Sequence, residues 1–311
     1  MRGSVARDLS REARFGQGLD STAPNFTAIS ADFTAQPVEP KRVVVGLPVS
    51  PHRDSEGKPL LQQQAPLVAC PVGAVACLGS SSTSGRGQAF DWIGQLERRP
   101  RNHELNFSNF GVGGDLAGDV LLRVPDVIAA APDKVIVWVG ANDVLASVSA
   151  KARRLFSLMK HGAEAPTPFS FHETLLSIVR RLKMGTEAQV ALCSLAPIGE
   201  DPEPVNGFQL ELNRRVAEYS AIIAHVARAE RCAYIPVGEA LAARIEDEPG
   251  RSYDGFDILP FYRDAFRSLA LKQSPDEIGD RNGWRYHSDG VHLNGRAGLI
   301  AADLVQRFLE A

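Results

Sequence analysis

A chain of 311 residues with 44% hydrophobic and 23% charged side chains has the balance of a soluble globular protein and enough length to bury a sizeable core. Its net charge of −3 gives no strong attraction to nucleic acid or to an anionic membrane surface. The longest apolar stretch, Pro66 to Gly79, is too short to span a bilayer, so no integral membrane segment is expected.

Residues 1 to about 40 are polar and show no sustained period. They read as part of an N-terminal extension, 1–70, ahead of a main domain, 71–311. The basic residues at the start have no apolar segment behind them, so a secretory signal is not expected and a cytoplasmic protein is. Val43-Val44-Val45 predicts a strand within Arg42 to Pro48, and Asp54 to Gln64 is loop-like. From Val72 the pattern alternates. Val72 to Leu78 is an apolar run ending at Gly79, as for a strand buried on both faces. Gln88 to Arg99 has helical spacing. Leu105 to Phe110 predicts a strand, and Leu116 to Ala131 a helix that Pro125 kinks or breaks. Lys134 to Val139 is a strand, Phe171 to Lys183 an amphipathic helix and Gln189 to Leu195 a strand. A long helix over Gly207 to Glu230, a strand over Cys232 to Val237 and a last helix over Asn294 to Leu309 complete the series.

Strands alternating with helices imply a mostly parallel sheet with helices on both faces. Such sheets bind ligands beyond the carboxyl ends of their strands. Two segments, 144–170 and 240–288, read as insertions. The second carries Tyr253, Phe256, Phe261, Tyr262, Phe266, Trp284 and Tyr286. Those aromatics either wall a substrate pocket or form a small peripheral core. Cys70, Cys77, Cys193 and Cys232 contain no Cys-x-x-Cys pair and read as free thiols.

Four blocks carry the chemistry: Gly79-Ser80-Ser81-Ser82-Thr83-Ser84-Gly85, Asn109-Phe110-Gly111-Val112-Gly113-Gly114-Asp115, Gly140-Ala141-Asn142-Asp143 and Asp289-Gly290-Val291-His292. The first three each follow a predicted strand. A serine between a strand end and a helix start meets unpaired backbone N–H groups that favour an anion. Ser81 fits that place, with Ser80, Ser82 and Ser84 as competitors in the same turn. Gly114 offers a backbone N–H where a side chain would block approach. Asn142 offers an amide, and Asn109 reads as a loop-fixing residue. His292 is the base candidate, with Asp289 placed to orient it. His287 is its one serious rival among the six other histidines. No cofactor and no metal are expected. Asp289 and His292 have no second ligand cluster. Gly111-x-Gly113-Gly114 is not a dinucleotide fingerprint, and Gly79 to Gly85 lacks a phosphate-loop lysine.

With these blocks in this order, the chain from about Val72 onward resembles the SGNH hydrolases, the GDSL-type esterases and lipases. The resemblance implies a three-layer α/β/α, flavodoxin-like fold. It implies Ser81 as nucleophile, with Asp289 and His292 completing a triad. The oxyanion hole would be the Ser81 and Gly114 N–H groups and the Asn142 side chain. Ser80 stands where the family usually has aspartate. The implied reaction is hydrolysis of small-molecule carboxylic esters, short-chain acyl esters first, through an acyl-enzyme. An acyltransferase or carbohydrate deacetylase would use the same residues, and a binding module that keeps the fold is the reading from another class.

Overall fold

The apolar runs become strands whose side chains alternate between two cores. The protein is described by a computed structural model that covers residues 73–159 and 165–311. The strands are β1 (Gly73–Gly79), β2 (Leu105–Gly111), β3 (Lys134–Trp138), β4 (Gln189–Cys193) and β5 (Ala233–Ile235). They lie in the order β2-β1-β3-β4-β5, and every neighbouring pair is parallel. Ala76, Leu78, Val135 and Val137 face one buried cluster, while Val75, Cys77, Ile136 and Trp138 face the other. Burial on both faces is why these strands read as continuous apolar runs.

The first cluster is covered by α3 (Ala117–Leu122), α4 (Val124–Ala129), α7 (Pro168–Gly185) and α8 (Gly207–Ala229). The second is covered by α2 (Trp92–Glu97), α9 (Val237–Asp247) and α12 (Gly295–Leu309). This is the three-layer α/β/α arrangement. The chain runs from β1 to one edge, returns to β3 and then builds toward the other edge. The reversal leaves a crevice between the carboxyl ends of β1 and β3. Register aligns those ends, with Gly79 opposite both Gly111 and Trp138. A Cβ at Gly79 would lie 2.3 Å from the Trp138 carbonyl, so the close approach requires glycine.

The structure corrects several expected boundaries. The helix expected from Gln88 starts at Trp92, because Asp91 caps it by accepting from the Gly94 N–H at 2.9 Å. The helix expected over Leu116 to Ala131 is two helices meeting at Arg123, with Pro125 in the first turn of the second. The expected extension to residue 70, the Arg42–Pro48 strand, the Asp54–Gln64 loop, Cys70, His52 and His161 lie outside the described residues. Cys77, Cys193 and Cys232 are free. Burial pushes the Cys77 and Cys193 thiols up, which keeps them unreactive.

The segment from 144 is helical over its described part, as α5 (Ala141–Val148) and α6 (Ala150–Met159). The 240–288 segment contributes α10 (Ile258–Leu269) and α11 (Pro275–Asn282). α10 is inverted. It buries Asp264 against Arg263, Arg267 and Asn282, and it exposes Leu259, Tyr262, Phe266 and Leu269. Among the described residues no helix is long and apolar enough to cross a membrane.

Candidate active site

Ser81 is the first residue of α1 (Ser81–Ser84), a single turn that starts where β1 ends. A first-turn N–H has no partner inside its own helix and points outward. Ser80, at the cap position, is buried. Thr83 turns inward and its hydroxyl donates to the Trp138 carbonyl at 3.5 Å, which ties the turn to β3. Asn109 donates to the Ser84 carbonyl at 3.2 Å and accepts from the Gly111 N–H at 2.9 Å. It fixes the loop, as its position led us to expect.

His292 reaches this turn across 211 residues of sequence, and its Nε2 lies 2.8 Å from the Ser81 Oγ. Its Nδ1 lies 2.7 Å from Asp289 Oδ2. The other carboxylate oxygen accepts the Val291 N–H at 3.0 Å and the His292 N–H at 2.8 Å. Asp-x-x-His thus closes a turn on itself, and the backbone bonds aim the carboxylate at the ring. Gly290, at φ 89°, makes that turn beneath Trp284 and Tyr253.

The pair is electrostatically coupled. Burial alone would raise the Asp289 carboxyl, but the His292 charge and the hydrogen bonds from His292 and Val291 outweigh it and hold the carboxyl well below its usual range. Burial alone would lower the His292 ring, but Asp289 outweighs it and holds the ring above its ordinary value. An imidazole held between a carboxylate and a hydroxyl is the arrangement that can take the hydroxyl proton and keep the resulting cation.

The second and third blocks meet beside this chain of bonds. Asn142, in the first turn of α5, donates to the Asp115 carbonyl at 2.9 Å, which places it next to Gly114. Gly114 has φ 80°, a conformation that favours glycine. A Cβ there would lie 3.0 Å from Met159 Cε. Asp143 accepts the Ala117 N–H with both oxygens, at 3.2 and 3.1 Å, and so links α5 to the loop after Gly114. Asp115 pairs with Arg123, whose guanidinium also donates to the Phe110 carbonyl and, at 2.9 Å, to the Gly79 carbonyl. One arginine therefore clamps the ends of β1 and β2.

Burial pushes the Asp143 carboxyl up to about 7, against the backbone bond from Ala117. A carboxyl raised on folding stabilises while it stays protonated, and that contribution is lost as pH rises through the folded value. Stability is therefore expected to decline from about pH 4 to pH 7 and to decline less in Asp143→Asn. Urea midpoints across that range check this.

Sequence reasoning did not single out Gln88, Arg123 or Glu200. Gln88 is buried and donates to Asp289 Oδ2 at 3.1 Å. His287, the expected rival base, is fully buried away from Ser81. Its Nδ1 lies 2.9 Å from Glu200 Oε1 and its Nε2 lies 2.9 Å from the Pro197 carbonyl. Part of the aromatic segment reaches the site. Phe261 lies 5.7 Å from the His292 ring, centroid to centroid, and Phe256 packs on Phe156 at 6.2 Å. Tyr262 and Phe266 remain exposed. A cleft of about 490 Å³ between α8 and α9 contains none of the block residues. Among the described residues no group of three or more His, Cys, Asp or Glu is placed to hold a metal ion.

Comparison with known proteins agrees with this architecture. A profile of the GDSL-like Lipase/Acylhydrolase family matches residues 77–297. No curated protein matches the chain. Solved structures do. An acetyl xylan esterase, AlAXEase, is 21% identical with a TM-score of 0.51, over 76% of this chain and 99% of that one. Axe2, an acetylxylan esterase from Geobacillus stearothermophilus, is 17% identical with a TM-score of 0.50, over 77% and 94%. A lipase/acylhydrolase from Enterococcus faecalis is 18% identical with a TM-score of 0.50, over 76% and 95%. At these identities the structures speak to the fold, and the family match speaks to the chemistry. The chain belongs to the GDSL-like lipase/acylhydrolase family, the SGNH hydrolases, and is an ester-hydrolysing enzyme of that type.

Proposed function

We propose that this enzyme hydrolyses small carboxylic esters, short-chain acyl esters first, through an acyl-enzyme on Ser81. The observation that carries the reading is the continuous chain from Asp289 through His292 to Ser81, with contacts of 2.7 and 2.8 Å. His292 Nε2 takes the Ser81 proton as Oγ attacks the ester carbonyl. Charge then gathers on the carbonyl oxygen. The Ser81 and Gly114 N–H groups and the Asn142 amide receive it. The imidazolium returns its proton to the departing alkoxide, which leaves as the alcohol. Water then enters, gives a proton to His292 and attacks the acyl carbon. On collapse the imidazolium gives that proton to Ser81 Oγ as its bond to the acyl carbon breaks, which releases the acid and restores Ser81 and neutral His292.

Catalytic mutants of the Geobacillus esterase alter a serine, an aspartate and a histidine three residues after that aspartate, the spacing of Asp289 and His292 here. Met159 beside Gly114 and Phe261 beside His292 crowd the ends of the site. That crowding favours a small acyl group, as does the acetyl ester named for two of the similar structures.

Hydrolysis of p-nitrophenyl esters from acetate upward tests the reading. The expected profile is highest for the shortest chains. Asn142→Ala is expected to lower kcat by about 10² to 10³ with the fold retained. Unchanged kcat in that variant contradicts its assignment to the oxyanion site.

A further inference from the structure

We infer that Gln88 is a positioning residue of the Ser81 site: its side-chain amide holds the Asp289 carboxylate in the orientation that serves His292. The inference rests on the proposed chemistry of Ser81 and adds a fourth participant to it.

The geometry is specific. Gln88 Nε2 donates to Asp289 Oδ2 at 3.1 Å. That same oxygen faces His292 Nδ1 at 2.7 Å. The Val291 and His292 N–H groups occupy the opposite oxygen, Oδ1. A carboxylate offers about four acceptor sites. Here four donors meet them, two on each oxygen. The backbone donors fix Oδ1 through the turn itself. Oδ2 has the imidazole and one further donor, Gln88. A carboxylate accepts only, so the glutamine must present its nitrogen. Without Gln88, Oδ2 keeps only the imidazole as a donor.

The glutamine is itself held. It is 3% exposed. The preceding Gly87 carbonyl accepts the Ser268 hydroxyl of α10 at 2.5 Å. Two residues later the Phe90 N–H donates to the Leu293 carbonyl at 3.0 Å. The loop between α1 and α2 is therefore bonded to the 289–293 turn at two points. It ties the element carrying Ser81 to the element carrying the acid and base. Besides His292, Tyr253 is a titratable group among the described residues that feels Asp289; its phenol is pushed up by burial and by the charges of Asp289 and Asp257.

The test uses Gln88→Ala and the near-isosteric Gln88→Glu in the full chain. The ring titration of His292 is followed by NMR beside kcat and KM on a p-nitrophenyl ester. A charge-assisted hydrogen bond is lost in Gln88→Ala, so kcat is expected to fall about tenfold with KM within about twofold. Gln88→Glu places a second negative charge beside Asp289, which favours the imidazolium. The His292 midpoint is expected to move to higher pH in that variant. A His292 midpoint unchanged in both variants, together with unchanged kcat, overturns the inference. So does a loss of thermal stability with the midpoint unmoved, since Gln88 then merely fills space. The titration needs no substrate. Failure of wild-type turnover would count against the proposed reaction, whereas an unmoved titration counts against Gln88 alone.

Discussion

Ser81→Ala, His292→Ala and the double variant are expected to lose turnover to nearly the same extent, on the order of 10⁶ in kcat. The equality matters more than the size. On the proposed chemistry Oγ cannot attack until Nε2 accepts its proton, and the two atoms lie 2.8 Å apart. Removing either group leaves the other without a task. Independent roles would instead multiply in the double variant. Each variant is expected to keep its far-UV spectrum, because Ser81 lies on a four-residue turn that Thr83 and Asn109 also anchor. Steady-state kinetics on a p-nitrophenyl ester checks this. A double variant far below both singles contradicts the coupling.

Glu200→Ala is expected to lower folding stability by about 3–5 kcal/mol. Glu200 is 1% exposed. Its carboxylate accepts the Arg285 N–H at 2.8 Å, the Tyr286 N–H at 2.6 Å and the His287 N–H at 2.9 Å, besides facing the His287 ring. Truncation leaves three backbone donors and a ring nitrogen buried without that acceptor, and each stranded donor costs about 1–3 kcal/mol. Burial would raise the carboxyl, but His287 and the Arg285 and Tyr286 N–H groups outweigh it and lower its pKa. A carboxyl lowered on folding stabilises above its unfolded value, and the contribution is lost as pH falls through the folded one. The penalty is therefore expected to be largest near neutral pH and to shrink in acid. The 285–287 backbone leads directly into Asp289, so activity is expected to fall with stability. Urea unfolding at pH 7 and at pH 4 reads both effects. A loss below about 1 kcal/mol at pH 7 contradicts the account, since ordinary surface changes cost that little.

The sheet was legible because its central strands β1 and β3 are buried on both faces and so stand out as apolar runs. The candidate site residues that follow those runs could be picked out from them: Ser81, Gly114 and Asn142 all lie within four residues of an aligned strand end. What stayed hidden comes from irregular segments acting at long range. Gln88 meets Asp289 from 201 residues away, and Glu200 meets His287 from 87. Neither position carries a periodic signal, because each is chosen for one bond and not for a face. His287 illustrates the limit from the other side. Near-motif spacing made it a rival base, yet it turns inward to Glu200. α10 defeats pattern reading outright, since it buries Asp264 and exposes Phe266. The split helix around Arg123 was half visible. Pro125 marked a break, but nothing local marked Arg123 as the clamp on Gly79 and Phe110.

The most direct test of the central claim is labelling by a fluorophosphonate, with the adduct mapped by mass spectrometry and its rate followed against pH. A single adduct on Ser81 is expected, at a rate that falls as pH drops through the titration of His292, which Asp289 holds above the ordinary imidazole value, because the protonated ring cannot accept the serine proton. No adduct, or an adduct on Ser80 or Ser82 with Ser81 unmodified, would contradict it.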